Sequence, residues 1–115
     1  MKLSIAMARA DELRPSTASE EQKAAWVCEL DAQLAEMMAV PVPENQWPQD
    51  RELLMPPPHE ELYQLYLCCK LDYYNQEMDL YANDIQLYNA ALAEAQAWWR
   101  RHHRPPDRRS WEVMR

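Results

Sequence analysis

Residues 59–101 contain no proline and no glycine, and this constrains the fold more than any other feature. Apolar side chains recur there in a four-three rhythm: Leu67, Leu71, Tyr74, Met78, Tyr81, Ile85, Tyr88, Leu92, Ala95 and Trp99. Alternate members lie seven residues apart, the mark of a helix that keeps one stripe against a partner. A second apolar line runs beside the first: Leu62, Tyr66, Cys69, Tyr73, Leu80 and Leu87. Unbroken, such a helix would span roughly 60 Å at 1.5 Å per residue. That is too long for a compact domain of this size, so the helix is expected either to bend or to project. Asn83-Asp84 is the place expected for a bend, because Asn and Asp side chains compete for helical hydrogen bonds.

Glycine is absent from all 115 residues. Phosphate-cradling loops, dinucleotide turns and nucleophile elbows all need glycine where the backbone must approach a ligand closely, so those chemistries are excluded. Tight hairpins are disfavoured for a related reason. An all-α fold is expected: three helices over 3–14, 19–39 and 59–101, with a proline-rich connector over 41–58. Residues 1–105 are expected to form a single helical domain, followed by a basic tail over 106–115.

Arg14-Pro15 ends the first helix, since a residue before proline avoids helical geometry. Ser19 through Gln22 has the form of a capping box. Trp26, Leu30 and Leu34 form the inner face of the second helix, with Trp26 as its main anchor and Glu29, Asp31 and Glu36 on a wet face. The connector holds six of the nine prolines and is semi-rigid. Its Trp47, Leu53, Leu54 and Met55 are expected to tack it onto the helices, the alternative being contact with a neighbouring subunit. The expected core is Trp26, Leu30, Leu34, Leu71, Tyr74, Met78, Tyr81, Ile85, Tyr88 and Leu92.

Cys28, Cys68 and Cys69 are read as free thiols, because adjacent helical cysteines point about 100° apart. His59, His102 and His103 lack metal-ligand spacing, so neither metal nor cofactor is expected. No catalytic residue is expected either, since no base is spaced to serve a Ser, Cys or carboxylate. The N-terminal apolar run is too short for a signal peptide and no stretch has the length of a membrane span, so a soluble intracellular protein is expected.

Net charge is −7 and unevenly spread. Six arginines from Arg100 onward, against Asp107 and Glu112, give that end +4 and leave −11 on the residues before it. Such a tail either docks on an acidic surface or polyanion, or stays solvated. Trp98, Arg100, Arg101, Arg108, Arg109 and Trp111 have the composition of an interface hot spot. Tyr66, Tyr73, Leu80 and Leu87 are the remaining candidate interface residues.

Three stretches together carry a family resemblance: ADELRP (10–15), SEEQKAAWVCELDAQL (19–34), and ELLMPPPHEELYQLYLCCKLDYYNQEMDLYANDIQLYNAALAEAQAWWRRHHRP (52–105). The pattern resembles small structural proteins of the head-morphogenesis region of tailed phages and prophages, and within these the head-to-tail connector or adaptor class. The resemblance covers most of residues 3–105. It rests on Lys23 with Trp26 to Asp31, on the proline-then-Glu-Leu-Tyr entry at Glu61-Leu62-Tyr63, and on Tyr88-Asn89-Ala90-Ala91. It implies a non-enzymatic virion protein, assembled in the host cytoplasm as a homo-oligomeric ring. Its implied partners are the portal and the tail or stopper proteins, with DNA contact allowed but not required and no membrane. The alternative is a small helical module that binds nucleic acid or a regulatory protein through residues 98–111.

Overall fold

The computed structural model describes residues 1–103. They form four α-helices: α1 (Leu3–Leu13), α2 (Glu20–Met38), α3 (Glu61–Tyr74) and α4 (Met78–His102). The all-α class and the long C-terminal helix are as expected, and α1 and α2 fall within a residue of their expected bounds. The number of helices differs because the long helix divides. Among the described residues no helix is long and apolar enough to cross a membrane.

The division lies at Asn75-Gln76-Glu77 and not at Asn83-Asp84, which sits inside α4. Glu77 N donates to Asp72 O (2.8 Å) and Gln76 N to Tyr73 O (3.1 Å), which closes a Schellman turn. Gln76 takes the left-handed position, φ 61°, normally left to glycine. α2 ends the same way on Ala39, φ 58°, with Val40 N donating to Ala35 O at 3.0 Å. With no glycine in the chain, these residues carry a left-handed cost of about 1 kcal/mol each. Asn75 Nδ2 also donates to Pro15 O (3.2 Å), tying the turn to the α1–α2 loop. Asp84 does not break α4 because its carboxylate finds a partner elsewhere: Arg14 Nη2 donates to it at 2.8 Å.

α3 is the hub. It packs on α1, α2 and α4, and α4 rests chiefly along α3. The two form an antiparallel hairpin registered by paired rings, Tyr73 with Tyr81 at 5.8 Å and Tyr66 with Tyr88 at 5.3 Å between centroids. One core runs through all four helices and the connector, and includes Leu30, Leu34, Leu62, Leu67, Leu71 and Tyr88. Trp26, Tyr81, Ile85 and Leu92 pack against it half-buried.

Several expectations are corrected. Tyr74 (46% exposed) and Met78 (47%) are not core residues, because the turn at 75–77 redirects the chain and ends the heptad register. Trp26 is not the main anchor of α2: it is half-buried, whereas Val27, Leu30 and Leu34 are fully buried; among the described residues the largest fully buried side chain is Tyr63 of α3. Asp31 does not lie on a wet face. It is fully buried at the centre of a polar network. Tyr63 Oη donates to Asp31 Oδ1 (2.6 Å), Arg51 Nη1 to Asp31 Oδ2 (2.7 Å), and Met55 N to Tyr63 Oη (2.7 Å). Burial, with the Asp31 charge behind it, pushes the Tyr63 phenol far above its ordinary range, so it stays a donor.

That network explains the connector. Leu53 and Met55 are buried, and Trp47 and Leu54 pack at the core's edge, so these four side chains tack it down. The same stretch is tied to the N-terminus: Leu3 N donates to Arg51 O (2.9 Å) and Leu53 N to Met1 O (2.9 Å). Asp50 accepts from Ser4 N at 3.0 Å, capping α1 from outside because Lys2 offers no cap. The body measures 61 × 33 × 18 Å, with a radius of gyration of 16.5 Å. A compact chain of this length would have about 13 Å, so the molecule is elongated.

Candidate functional site

A cleft of about 410 Å³ is walled by aromatic rings. Its floor and sides come from three helices: Trp26 of α2; Tyr66, Tyr73 and Tyr74 of α3; and Tyr81 and Tyr88 of α4. Local sequence builds it directly. Heptad-spaced tyrosines on two antiparallel helices meet ring to ring, while Tyr74 meets Trp26 edge-on at 6.1 Å. Such tilted and edge contacts suit the ring quadrupoles. Lys70 lies on one wall, 5.4 Å above the Tyr66 ring and 3.8 Å from Glu29.

The polar groups of the cleft are held, not reactive. Tyr66 Oη donates to Glu29 (3.4 Å), and Tyr74 Oη lies 3.5 Å from the Thr17 hydroxyl. Burial, then the Glu29 charge, pushes Tyr66 up to about 12. Burial, then the neighbouring Cys69, pushes Tyr88 to about 12. Burial raises Cys68 to about 11 and, reinforced by Asp84, Cys69 to about 12. Phenols and thiols held this high stay protonated at neutral pH and are poor nucleophiles. The cleft offers apolar and π-type contacts.

Deeper in the fold lies a buried charge cluster. Arg14 Nε donates to Asp72 Oδ1 (2.8 Å) while its Nη2 holds Asp84, so one guanidinium joins α1, α3 and α4. Asp72 Oδ2 is buried with no donor aimed at it. A proton on that oxygen lets it donate to the Asp84 carboxylate. Burial first, then Asp84, raises Asp72 to about 7, against the opposing pull of Arg14. Two carboxylates on one arginine have the look of an acid–base pair, but Asp72 is fully buried and none of the three residues lines the aromatic cleft. Its role is to clamp the helices. Among the described residues no group of three His, Cys, Asp or Glu side chains is arranged to hold a metal ion.

The candidate interface residues separate into three places. Tyr66 (half-buried) and Tyr73 (59% exposed) line the cleft. Leu80 (40%) and Leu87 (50%) stand outside it on the open face of α4. The second apolar line is therefore not uniform: in α3 its Leu62 and Cys69 are core, and in α4 its members face outward. Trp98, Arg100 and Arg101 sit at the far end of α4, about 26 Å from Tyr81 at 1.5 Å per residue. Arg100 and Arg101 are exposed, while Trp98 is half-buried against His59 (5.1 Å) and His102 (5.1 Å). Trp99 stacks on His103 at 3.4 Å. Both histidines place Nδ1 against a carbonyl, at 2.9 and 3.1 Å, which makes Nδ1 the protonated nitrogen. The aromatics at this end are engaged with one another and are not splayed as a stacking platform. Arg108, Arg109 and Trp111 lie outside the described residues.

Sequence reading missed the cleft and both buried charge networks. One signal was available for Asp31: it continues the apolar line Ala24, Val27, Leu34, Met38 on α2. Asp84 likewise lies four residues before Tyr88 and eleven before Ala95, the buried residues of α4. An acid on a buried line calls for a cation, and Arg51 and Arg14 supply one each. No family model matches this chain, no curated protein matches it, and no solved structure matches its fold.

Proposed function

We propose that this chain is a non-enzymatic, self-assembling virion protein of the head–tail connector class, forming a homo-oligomeric ring that joins a phage portal to the tail or stopper. The observation that carries the reading is the set of exposed apolar side chains on the α3–α4 hairpin. Tyr73, Met78, Leu80 and Leu87 are all 40–59% exposed, and Leu80 and Leu87 lie seven residues apart on one side of α4. Scattered exposed apolar side chains need no explanation, but four on one hairpin that also carries an aromatic cleft support a contact surface. The motif resemblance supplies the biological setting. The protonated phenols and thiols fit a protein that binds rather than reacts.

The test is mass measurement of the purified protein alone and mixed with a portal. Assembly into a defined oligomer, or capture by the portal, is expected. Leu87→Glu places a charge on the open face and is expected to abolish assembly while leaving the melting temperature unchanged. A strict monomer that never binds a portal refutes the reading.

A further inference from the structure

We infer that the aromatic cleft is the receptor for residues 104–115 of a second copy of this chain. The inference rests on the self-assembly just proposed and adds to the Leu80–Leu87 face a second contact that the assembly would require. Four observations carry it. First, the cleft has the volume and lining of a site for an anchoring group: about 410 Å³, with six aromatic rings on three helices. Second, the chemistry matches. Aromatic-lined grooves take proline rings, and tyrosine faces stack guanidinium planes and indoles. The segment RPPDRRSWEVMR holds Pro105, Pro106, Arg108, Arg109 and Trp111.

Third, the charges complement. Four arginines against Asp107 and Glu112 make the segment +2. The cleft margin carries Glu29, bonded to the Tyr66 hydroxyl, and the adjoining turn and first turn of α4 carry Glu77 and Asp79. Lys70, turned onto Tyr66 and 3.8 Å from Glu29, offsets Glu29, so the acids left to meet the arginines are Glu77 and Asp79.

Fourth, the self-assembly proposed above selects the second copy over the chain's own tail. Tyr88, the cleft residue nearest the C-terminal end of α4, lies fifteen residues before His103, about 22 Å along the helix. Trp111 lies eight residues beyond His103, at most about 28 Å fully extended. Within one chain Trp111 would have to double back along α4 to reach the cleft, whereas a neighbouring copy offers its cleft without that reversal. Tail into cleft is a head-to-tail contact, which closes into a ring when the rotation per copy permits.

The experiment uses the full chain in two single variants. Trp111→Ala removes the anchor and keeps the cleft. Tyr73→Lys, at a position already 59% exposed, puts a cation on the cleft wall and keeps the tail. Circular dichroism and melting temperature verify folding, and native mass spectrometry reads assembly. Each variant alone is expected to lose the wild-type oligomer. Their equimolar mixture is expected to recover a heterodimer, because one intact tail meets one intact cleft. A synthetic peptide of residues 104–115 is expected to bind the Trp111→Ala chain, and at least about tenfold more weakly when the peptide also lacks the indole. An oligomer that survives both substitutions overturns this inference and leaves the ring reading standing. Folded variants that stay monomeric on mixing also overturn it. A wild-type chain that is monomeric at every concentration, and never binds a portal, sinks both.

Discussion

Tyr63→Phe isolates the buried network that holds the connector. Phenylalanine keeps the ring and its packing, so no cavity opens and only the hydroxyl is lost. That hydroxyl serves two groups: it donates to Asp31 at 2.6 Å and accepts from Met55 N at 2.7 Å. Loss of a hydrogen bond to a buried charge costs about 1.5–3 kcal/mol, and a buried amide left without an acceptor about 1–3 kcal/mol. Asp31 keeps Arg51 and a long contact from Leu54 N (3.4 Å), which places the total near the middle, about 3–4 kcal/mol. Against a domain stability of about 5–15 kcal/mol this is a large fraction. At about 4–8 °C per kcal/mol it lowers the melting temperature by about 12–32 °C. Thermal and urea unfolding followed by far-UV circular dichroism measures it. Tyr66→Phe is the control: its hydroxyl makes one 3.4 Å contact to an exposed Glu29, so a change below about 0.5 kcal/mol is expected. A Tyr63→Phe loss under about 1 kcal/mol, or equal to that of Tyr66→Phe, refutes the reasoning that this network fastens the connector.

Asp72 sets a pH dependence. Its pKa is raised on folding, so its contribution is complete below the ordinary carboxylate range and is lost as pH climbs through about 7. Asp72→Asn mimics the protonated form and is expected to match wild type near pH 5 and to melt higher near pH 8; parallel melting profiles from acid to base would contradict this. Gln76→Gly relieves the left-handed position at the α3–α4 turn and is expected to stabilise by up to about 1 kcal/mol in urea unfolding, unless the turn is not left-handed in solution. Leu30→Ala empties a fully buried site on α2 and is expected to cost about 2–5 kcal/mol, whereas Leu13→Ala at 50% exposure is expected to cost far less by the same assay.

Much of the fold was legible in the residues because it depends on local signals. Pro15 stops α1, Ser19 caps α2 by accepting from Gln22 N, and the proline cluster separates α2 from α3. Helical periodicity located Leu30, Leu34, Leu71 and Tyr88 in the core. Heptad spacing does not record where a helix turns back, so Tyr74 and Met78 were misplaced: their spacing is correct and their helix axis changes between them. The break itself carries no glycine or proline. Gln76 adopts the left-handed turn because antiparallel packing of α4 on α3 and the Asn75–Pro15 bond reward it.

The chain alone therefore determines an all-helical protein with three apolar helical stretches, no glycine for phosphate or nucleophile chemistry, and an acidic body with a basic end. Those properties follow from composition and from contacts a few residues apart. Tertiary structure decides which acids are buried, because Asp31, Asp72 and Asp84 meet their arginines 20, 58 and 70 residues away. It also decides that the long apolar stretch is a hairpin and not a rod. Folding 59–101 back on itself brings Tyr66 to Tyr88 and Tyr73 to Tyr81, and so turns a heptad row of tyrosines into a cleft. Sequence spacing cannot show that, since a concave surface exists only where residues distant along the chain face one another.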